Sequence, residues 1–325
     1  MHSHQDHQTV QLRRHRAPRS GRGAYVVSGF VLLAYGGLLA GRQALRAWQD
    51  GDLGSALGSL PRGLVDPTAD LGATPESPYV WVFVAALLVA GLGALFHRPH
   101  SRGAALVLAW VLAALSVREL LGMRAQGSPS VYGGVEEGVW IPLLRWAGLL
   151  GALVVLVLLT RTGHEPPRGG PRGAQRFAGA LLLGYGALRL GWTARNLWVS
   201  DASFTGYARN LVDSSAPAVL EGSAWEFPEA ALALGMVLVG LALWAGRAFA
   251  PSAALLLTLA EGYLLVRFAV GTQRAGSANG GWGTYLDDGT GMLSLATAGV
   301  GALSALLVPA LLATVRREPI TVRGR

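Results

Sequence analysis

Residues 22–48 read RGAYVVSGFVLLAYGGLLAGRQALRAW, and residues 172–198 read RGAQRFAGALLLGYGALRLGWTARNLW. At a constant offset of 150, twelve of the 27 positions are identical: Arg22, Gly23, Ala24, Gly29, Leu32, Leu33, Tyr35, Gly36, Leu38, Gly41, Ala44 and Trp48. A chain biased toward Ala, Gly and Leu gives about four such matches at typical usage. A Tyr-Gly pair followed at a distance by Trp lies outside that bias. Each stretch is also an apolar run of the length a membrane-spanning helix needs, roughly 20 residues.

Moving outward, the correspondence continues at nearly the same offset. Ser77-Pro78 stands opposite Phe227-Pro228, and Ala104-Ala105-Leu106 opposite Ala253-Ala254-Leu255. Val117-Arg118 stands opposite Val266-Arg267, Glu136-Glu137-Gly138 opposite Asp287-Asp288-Gly289, and Ala147-Gly148 opposite Ala298-Gly299. Eight apolar runs follow: Ala24–Trp48, Tyr79–Phe96, Gly103–Leu121, Val139–Leu159, Phe177–Trp198, Phe227–Trp244, Ala248–Val270 and Gly291–Leu312. The expected fold is an all-α polytopic membrane protein with eight transmembrane helices arranged as two tandem four-helix repeats. The expected divisions are a basic cytoplasmic tail over 1–21, a first repeat over 22–160, and a linker over 161–173. A second repeat over 174–315 and a tail over 316–325 complete the chain. The polar start before the first apolar run has the look of a signal peptide. No good A-x-A site follows it, and the same segment recurs mid-chain, so cleavage is not expected.

Composition agrees. Hydrophobic residues are 51% of the chain and charged residues 14%, against about 25% charged in soluble domains. All 27 basic side chains are Arg, which with the Ala- and Gly-rich text points to coding bias in a high-GC bacterium. The 45 glycines suit membrane helices, where small residues let backbones approach. The segments 1–23, 97–102, 160–176, 245–247 and 313–325 hold 16 Arg and 3 acids. The alternate segments 49–78, 122–138, 199–226 and 271–290 hold 4 Arg and 13 acids. Arg collects on the cytoplasmic side of membrane proteins, so both termini are expected inside, in a bacterial plasma membrane. Four helices per unit is an even number, so both units insert the same way up, about an axis along the membrane normal. Trp48, Trp140 and Trp198 fall at the expected outer interfaces, as aromatic belts do. Topology thus accounts for the net charge of +8, and nucleic acid is not an expected partner.

Several chemistries are excluded by what is missing. There is no Cys, hence no disulfide, thiolate-bound metal or iron–sulfur cluster within the chain. The seven His all lie outside the apolar runs, which removes intramembrane haem between two His. Without Lys there is neither a P-loop nor a Schiff-base lysine. No G-x-S-x-G or H-E-x-x-H is present, and no cofactor is expected.

Seven Arg remain inside the apolar runs: Arg42, Arg46, Arg118, Arg145, Arg189, Arg195 and Arg267. All fall toward the expected outer ends, opposite to the sorting of the loops. Charges within membrane helices are costly and face a bundle interior or a wet cavity. Arg, with its planar fork of donors, takes carboxylate and phosphate. Arg46, Arg145 and Arg195, near helix ends, are placed to snorkel. The candidate ligand-binding residues are Arg42, Arg118, Arg189, Arg267 and Glu261. Glu261 lies mid-helix, where it either pairs with an Arg such as Arg189 or relays a proton; its counterpart in the first unit is Leu112. The pairs Glu136-Glu137 and Asp287-Asp288 suit either a cation such as Ca²⁺ or a solvated loop. Asp50-x-Asp52 echoes polyprenyl-phosphate glycosyltransferases, without their long outer domain. His2, His4 and His7 form a loose metal-binding pattern or a disordered tail.

Glu229, Gly235 and Gly240, followed by a basic turn at Arg247, give the second unit a resemblance to the DoxX/DoxD-like four-helix membrane family. The first unit has Tyr79 in place of the Glu. That resemblance implies an accessory membrane subunit associated with quinone-linked redox chemistry or a partner oxidoreductase. The expected function is non-enzymatic binding or transport of a small anionic or lipidic ligand from the outer side. The rival is an accessory subunit of a redox or envelope-assembly complex. The expected partners are the lipid bilayer, an anionic small molecule or lipid headgroup, and a membrane-protein partner.

Overall fold

The repeated Gly-rich stretch forms two long helices, each pressed against the helix that follows it across a glycine seam. The computed structural model describes residues 21–49, 62, 64–66, 78–98, 101–125, 140–162, 172–214, 226–279, 282–287 and 289–314. The N-terminal tail with its His, Asp50-x-Asp52, Glu136-Glu137, Asp288, most of the linker and the C-terminal tail lie outside the described residues, as do the side chains of Arg46, Trp48 and Trp140. The helices are α1 (Arg22–Gln49), α2 (Pro78–Leu95), α3 (Ser101–Ala125), α4 (Trp140–Arg161) and α5 (Arg172–Val199). They continue as α6 (Phe204–Val212), α7 (Glu226–Trp244), α8 (Ala250–Asn279), α9 (Trp282–Leu286) and α10 (Gly289–Thr314).

Six of them are long and apolar enough to cross a membrane: α1, α3, α4, α7, α8 and α10. The apolar part of α2, Tyr79–Leu95, is shorter, and α5 carries Arg172, Arg176, Arg189 and Arg195. Large apolar side chains point outward: Phe30, Val89, Trp110 and Leu306 are all more than 60% exposed. In water such a surface promotes association; among lipid tails it is the natural contact. The chain is a helical, multi-pass membrane protein.

Between membrane helices there is no water to expel, so association rests on close packing. Gly29 of α1 lies against the Gly91 carbonyl and Leu95 of α2, and Gly36 against Leu87 and Leu88. Gly179 of α5 lies against the Gly240 carbonyl and Trp244 of α7, and Gly186 against Ala233 and Met236. The glycines sit seven residues apart on one helix face, so each helix runs antiparallel to its partner. In the fourth helix of each half, Gly148 abuts the Tyr35 hydroxyl and Gly301 abuts the Tyr185 hydroxyl. Contacts thus pair Gly148 with Gly301, rather than with Gly299 as the Ala-Gly dipeptide suggested. Val155 and Leu159 of α4, and Val308 and Leu312 of α10, are buried in the same register.

The turns closing α2 and α7 also match. His97 (φ 52°) and Gly246 (φ 70°) take the left-handed conformation. Arg98 N donates to the Gly93 carbonyl, and Arg247 N to the Ala242 carbonyl, both at 2.9 Å. These bonds satisfy carbonyls that the helix end leaves open.

Each half has its own core, one around Leu32, Leu87, Leu112 and Val155, the other around Leu182, Met236, Leu257 and Val308. The halves meet along α3 and α8: Leu256 of α8 packs on the first core and Val107 of α3 on the second. This contact starts at Gly103, where a Cβ would fall on the Phe249 carbonyl oxygen and the Ser252 hydroxyl. Gly103→Ala is therefore expected to lower stability by about 1–3 kcal/mol, as overpacking does. Gly41→Ala, with open space around it, should be neutral or slightly stabilising. Thermal melts of the two variants in detergent check the contrast.

Candidate ligand cavity

Two polar clusters lie near the end of the bundle that carries residues 62–66 and α6. The first is in the second half. Tyr185 and Arg189 are one turn apart on α5, so both side chains reach the same neighbour. That neighbour is Glu261 of α8, which is only 4% exposed. Arg189 Nη1 lies 2.6 Å from Glu261 Oε2, and the Tyr185 hydroxyl donates to Oε1. The Tyr79 hydroxyl of α2 reaches both Arg189 and Glu229 of α7. Glu261 thus has the ion-pair partner expected of it. The carboxylate's desolvation is offset by a charge and a hydroxyl together.

The second cluster borders a cavity of about 460 Å³ between the halves, within the roughly 300–1,000 Å³ of ligand pockets. Its walls are apolar, from Phe83 of α2, Val107, Val111 and Leu115 of α3, Leu232 of α7 and Leu256 of α8. One end is polar, with Tyr35, Arg42, Arg118, Glu119, Arg145, Asn210 and Glu226. Arg118 Nε donates to the Asn210 carbonyl at 3.0 Å, in the last turn of α6, where carbonyls lack helical partners. Its Nη1 is 3.5 Å from Glu119 Oε1, and its guanidinium sits 5.3 Å above the Phe227 ring. Arg145 Nη2 is 3.9 Å from Glu119 Oε2. Above the cavity, α6 begins with a Ser203 side chain accepting from Gly206 N at 3.1 Å. Burial pushes the pKa of the Tyr207 hydroxyl up, and the charges of Glu226 and Glu229 add to the shift.

Of the five candidate residues, Arg42 and Arg118 line this cavity. Arg189 and Glu261 pair with each other in the neighbouring cluster. Arg267 lies elsewhere: its Nη1 donates to the Leu64 carbonyl at 3.0 Å. Tyr263 donates to the same oxygen at 2.6 Å. Arg118 and Arg267, equivalent in sequence, thus do equivalent work in opposite directions. Each reaches from the third helix of its half to a main-chain carbonyl in the loop of the other half.

A matching segment stands in the sequence of both loops. Arg62-Gly63-Leu64-Val65-Asp66 and Arg209-Asn210-Leu211-Val212-Asp213 are the same R-x-L-V-D segment. In each, the Arg Nε lies 3.7 Å from the Asp Oδ2 four residues on. Asp66 also pairs with Arg274 at 2.9 Å. The place of Arg145 and Tyr35 at the cavity is not legible in the sequence. Arg145 reads as an interfacial charge and Tyr35 as a repeat marker until the helices are packed. Among the described residues no group of His, Asp and Glu is arranged to hold a metal ion.

No protein-family model, curated protein or solved structure matches this chain.

Removing one member of the buried ion pair leaves the other charged and unsolvated, a cost of about 3–5 kcal/mol. Arg189→Leu alone is expected to fall in that range, and adding Glu261→Leu should restore most of the loss. A double-mutant cycle by thermal or chemical unfolding in detergent measures the coupling. Arg267→Ala and Tyr263→Phe share one acceptor, so their effects should be non-additive by about 0.5–3 kcal/mol in the same assay.

Proposed function

We propose that this protein binds an anionic amphiphile in the cavity between its halves, entering from the outer side of a bacterial plasma membrane. The observation that carries this reading is the cavity's division into apolar walls and a polar end with three guanidinium groups. An alkyl chain would lie against Val107, Val111, Phe83 and Leu232. The acidic headgroup would sit at Arg42, Arg118 and Arg145, whose donors are made for oxyanions. Glu119 and Glu226 at the same end moderate the positive charge, so the site favours a small headgroup of low charge. Orientation is supported by the distribution of Arg, which collects on the segments opposite the polar end of the cavity.

The same proposal includes eight membrane spans and an origin by duplication of a four-helix unit, with both termini in the cytoplasm. Repeated glycine seams, repeated left-handed turns and reciprocal Arg-to-carbonyl contacts support it. Transport is a natural extension, because a site lined by both repeats lies where a rocking motion between them would expose it.

The test is titration of the purified protein in lipid nanodiscs with dodecanoate, dodecyl phosphate and dodecanol. At least one of the two anions is expected to raise the melting temperature in a saturable way, as a ligand of the folded state must. Dodecanol should do so much less. Gly235→Phe, which fills the cavity wall, should abolish the shift, and Arg42→Gln should weaken anion binding about tenfold. Binding that survives Gly235→Phe in a folded protein would place the ligand elsewhere.

A further inference from the structure

The two halves treat one equivalent position in opposite ways. In the second half, Tyr185, Arg189 and Glu261 close on each other in a buried ion pair. Their counterparts by helix register in the first half are Tyr35, Leu39 and Leu112. All three of these line the cavity. The first half therefore has no internal carboxylate at this position: Leu39 and Leu112 stand there instead, on the wall of the cavity.

The donors on that side remain. Tyr35 is 4% exposed and Ser116 is fully buried. The Tyr35 hydroxyl and Ser116 Oγ both lie against Gly148. Ser116 Oγ finds no hydrogen-bond partner among the described residues, and nor does Arg145 Nε; the Tyr35 hydroxyl has the Arg145 guanidinium beside it, a donor only, so its own proton has no acceptor. Buried donors without acceptors are costly and few in native proteins. The missing cation of the Arg189 position is replaced at Arg42, three residues beyond Leu39 on α1, and at Arg145 of α4, which lies beside the Tyr35 hydroxyl.

We propose that the cavity's ligand is a carboxylate amphiphile of the fatty-acid class, its headgroup taking in the first half the place that Glu261 takes in the second. The Tyr35 hydroxyl would donate to one carboxylate oxygen, as Tyr185 does to Glu261. Arg145, with Arg42 behind it, would hold the other, as Arg189 does. The chain would run along the apolar walls past Leu112. This assignment rests on the cavity being the ligand site proposed above, and adds the headgroup chemistry to it. A tyrosine hydroxyl and one or two guanidinium groups match the two oxygens of a carboxylate. A phosphate brings more oxygens and more charge than that donor set satisfies.

The decisive variant is Leu112→Glu, which gives the first half its own internal carboxylate. It is expected to fold, to melt no lower than the unmodified protein, and to lose dodecanoate binding in nanodiscs. Tyr35→Phe removes one oxygen and should weaken dodecanoate binding about tenfold or more. Should Leu112→Glu not accumulate, Tyr35→Phe carries the same test. Tyr185→Phe is the control: it should lower stability and leave dodecanoate affinity unchanged. A folded Leu112→Glu protein that binds dodecanoate normally would overturn the assignment, as would a Tyr35→Phe protein of unaltered affinity. Dodecyl phosphate binding tenfold tighter than dodecanoate would overturn the carboxylate headgroup while leaving the anionic-amphiphile site intact. Dodecanoate binding that survives the Gly235→Phe plug in a folded protein would instead remove the site itself.

Discussion

A carboxylate buried among apolar helices must find donors, and Glu261 finds two on a single helix. The pairing works because Tyr185 and Arg189 stand one turn apart on α5 and because Gly301 leaves room for the tyrosine ring on the far side. It ties α8 to α5 within the second half. Through Tyr79, which reaches Arg189 from α2, it also ties that half to the first. The geometry of the cavity depends on it, since α2, α7 and α8 all contribute to the wall. A membrane helix can carry such charge only where the charge is answered inside the bundle.

The other intramembrane arginines obey the same constraint with different partners. Arg118 and Arg267 each reach a main-chain carbonyl, of Asn210 and of Leu64. Each draws the loop of the opposite half down onto the helices, which makes the two loops parts of the inter-half contact. The glycine at residue 103 does the corresponding work at the other end, where α3 and α8 begin. The halves are thus joined by backbone contact at one end and by Arg-to-carbonyl bonds at the other, with the cavity in between.

The sequence likeness of the two halves makes the positions where they differ informative. Where both halves keep a glycine, as with Gly29 and Gly179, both use it for close helix packing. Where they differ, as with Leu39 and Arg189 or Leu112 and Glu261, one half is closed by an ion pair and the other is open. An open position beside a closed one puts Leu39 and Leu112 on the wall of the cavity that lies near the junction of the halves.

The membrane character and helix positions were legible in the sequence, because long apolar runs have no stable alternative to a helix in lipid. The glycine seams were legible too, since a spacing of seven residues puts small side chains on one face whatever lies opposite. Pairing of Glu261 with an Arg such as Arg189 was one of two readings open in the sequence, beside a proton relay, and the structure has that ion pair. What the sequence could not determine was which arginines meet. Arg118 and Arg267 occupy equivalent positions and yet face different loops, and Arg145 stands with Arg42 only once α4 packs beside α1. Composition and period act along one helix; the meeting of side chains from α1, α3, α4 and α6 depends on crossing angles and on where backbones can approach, and only the tertiary structure decides those.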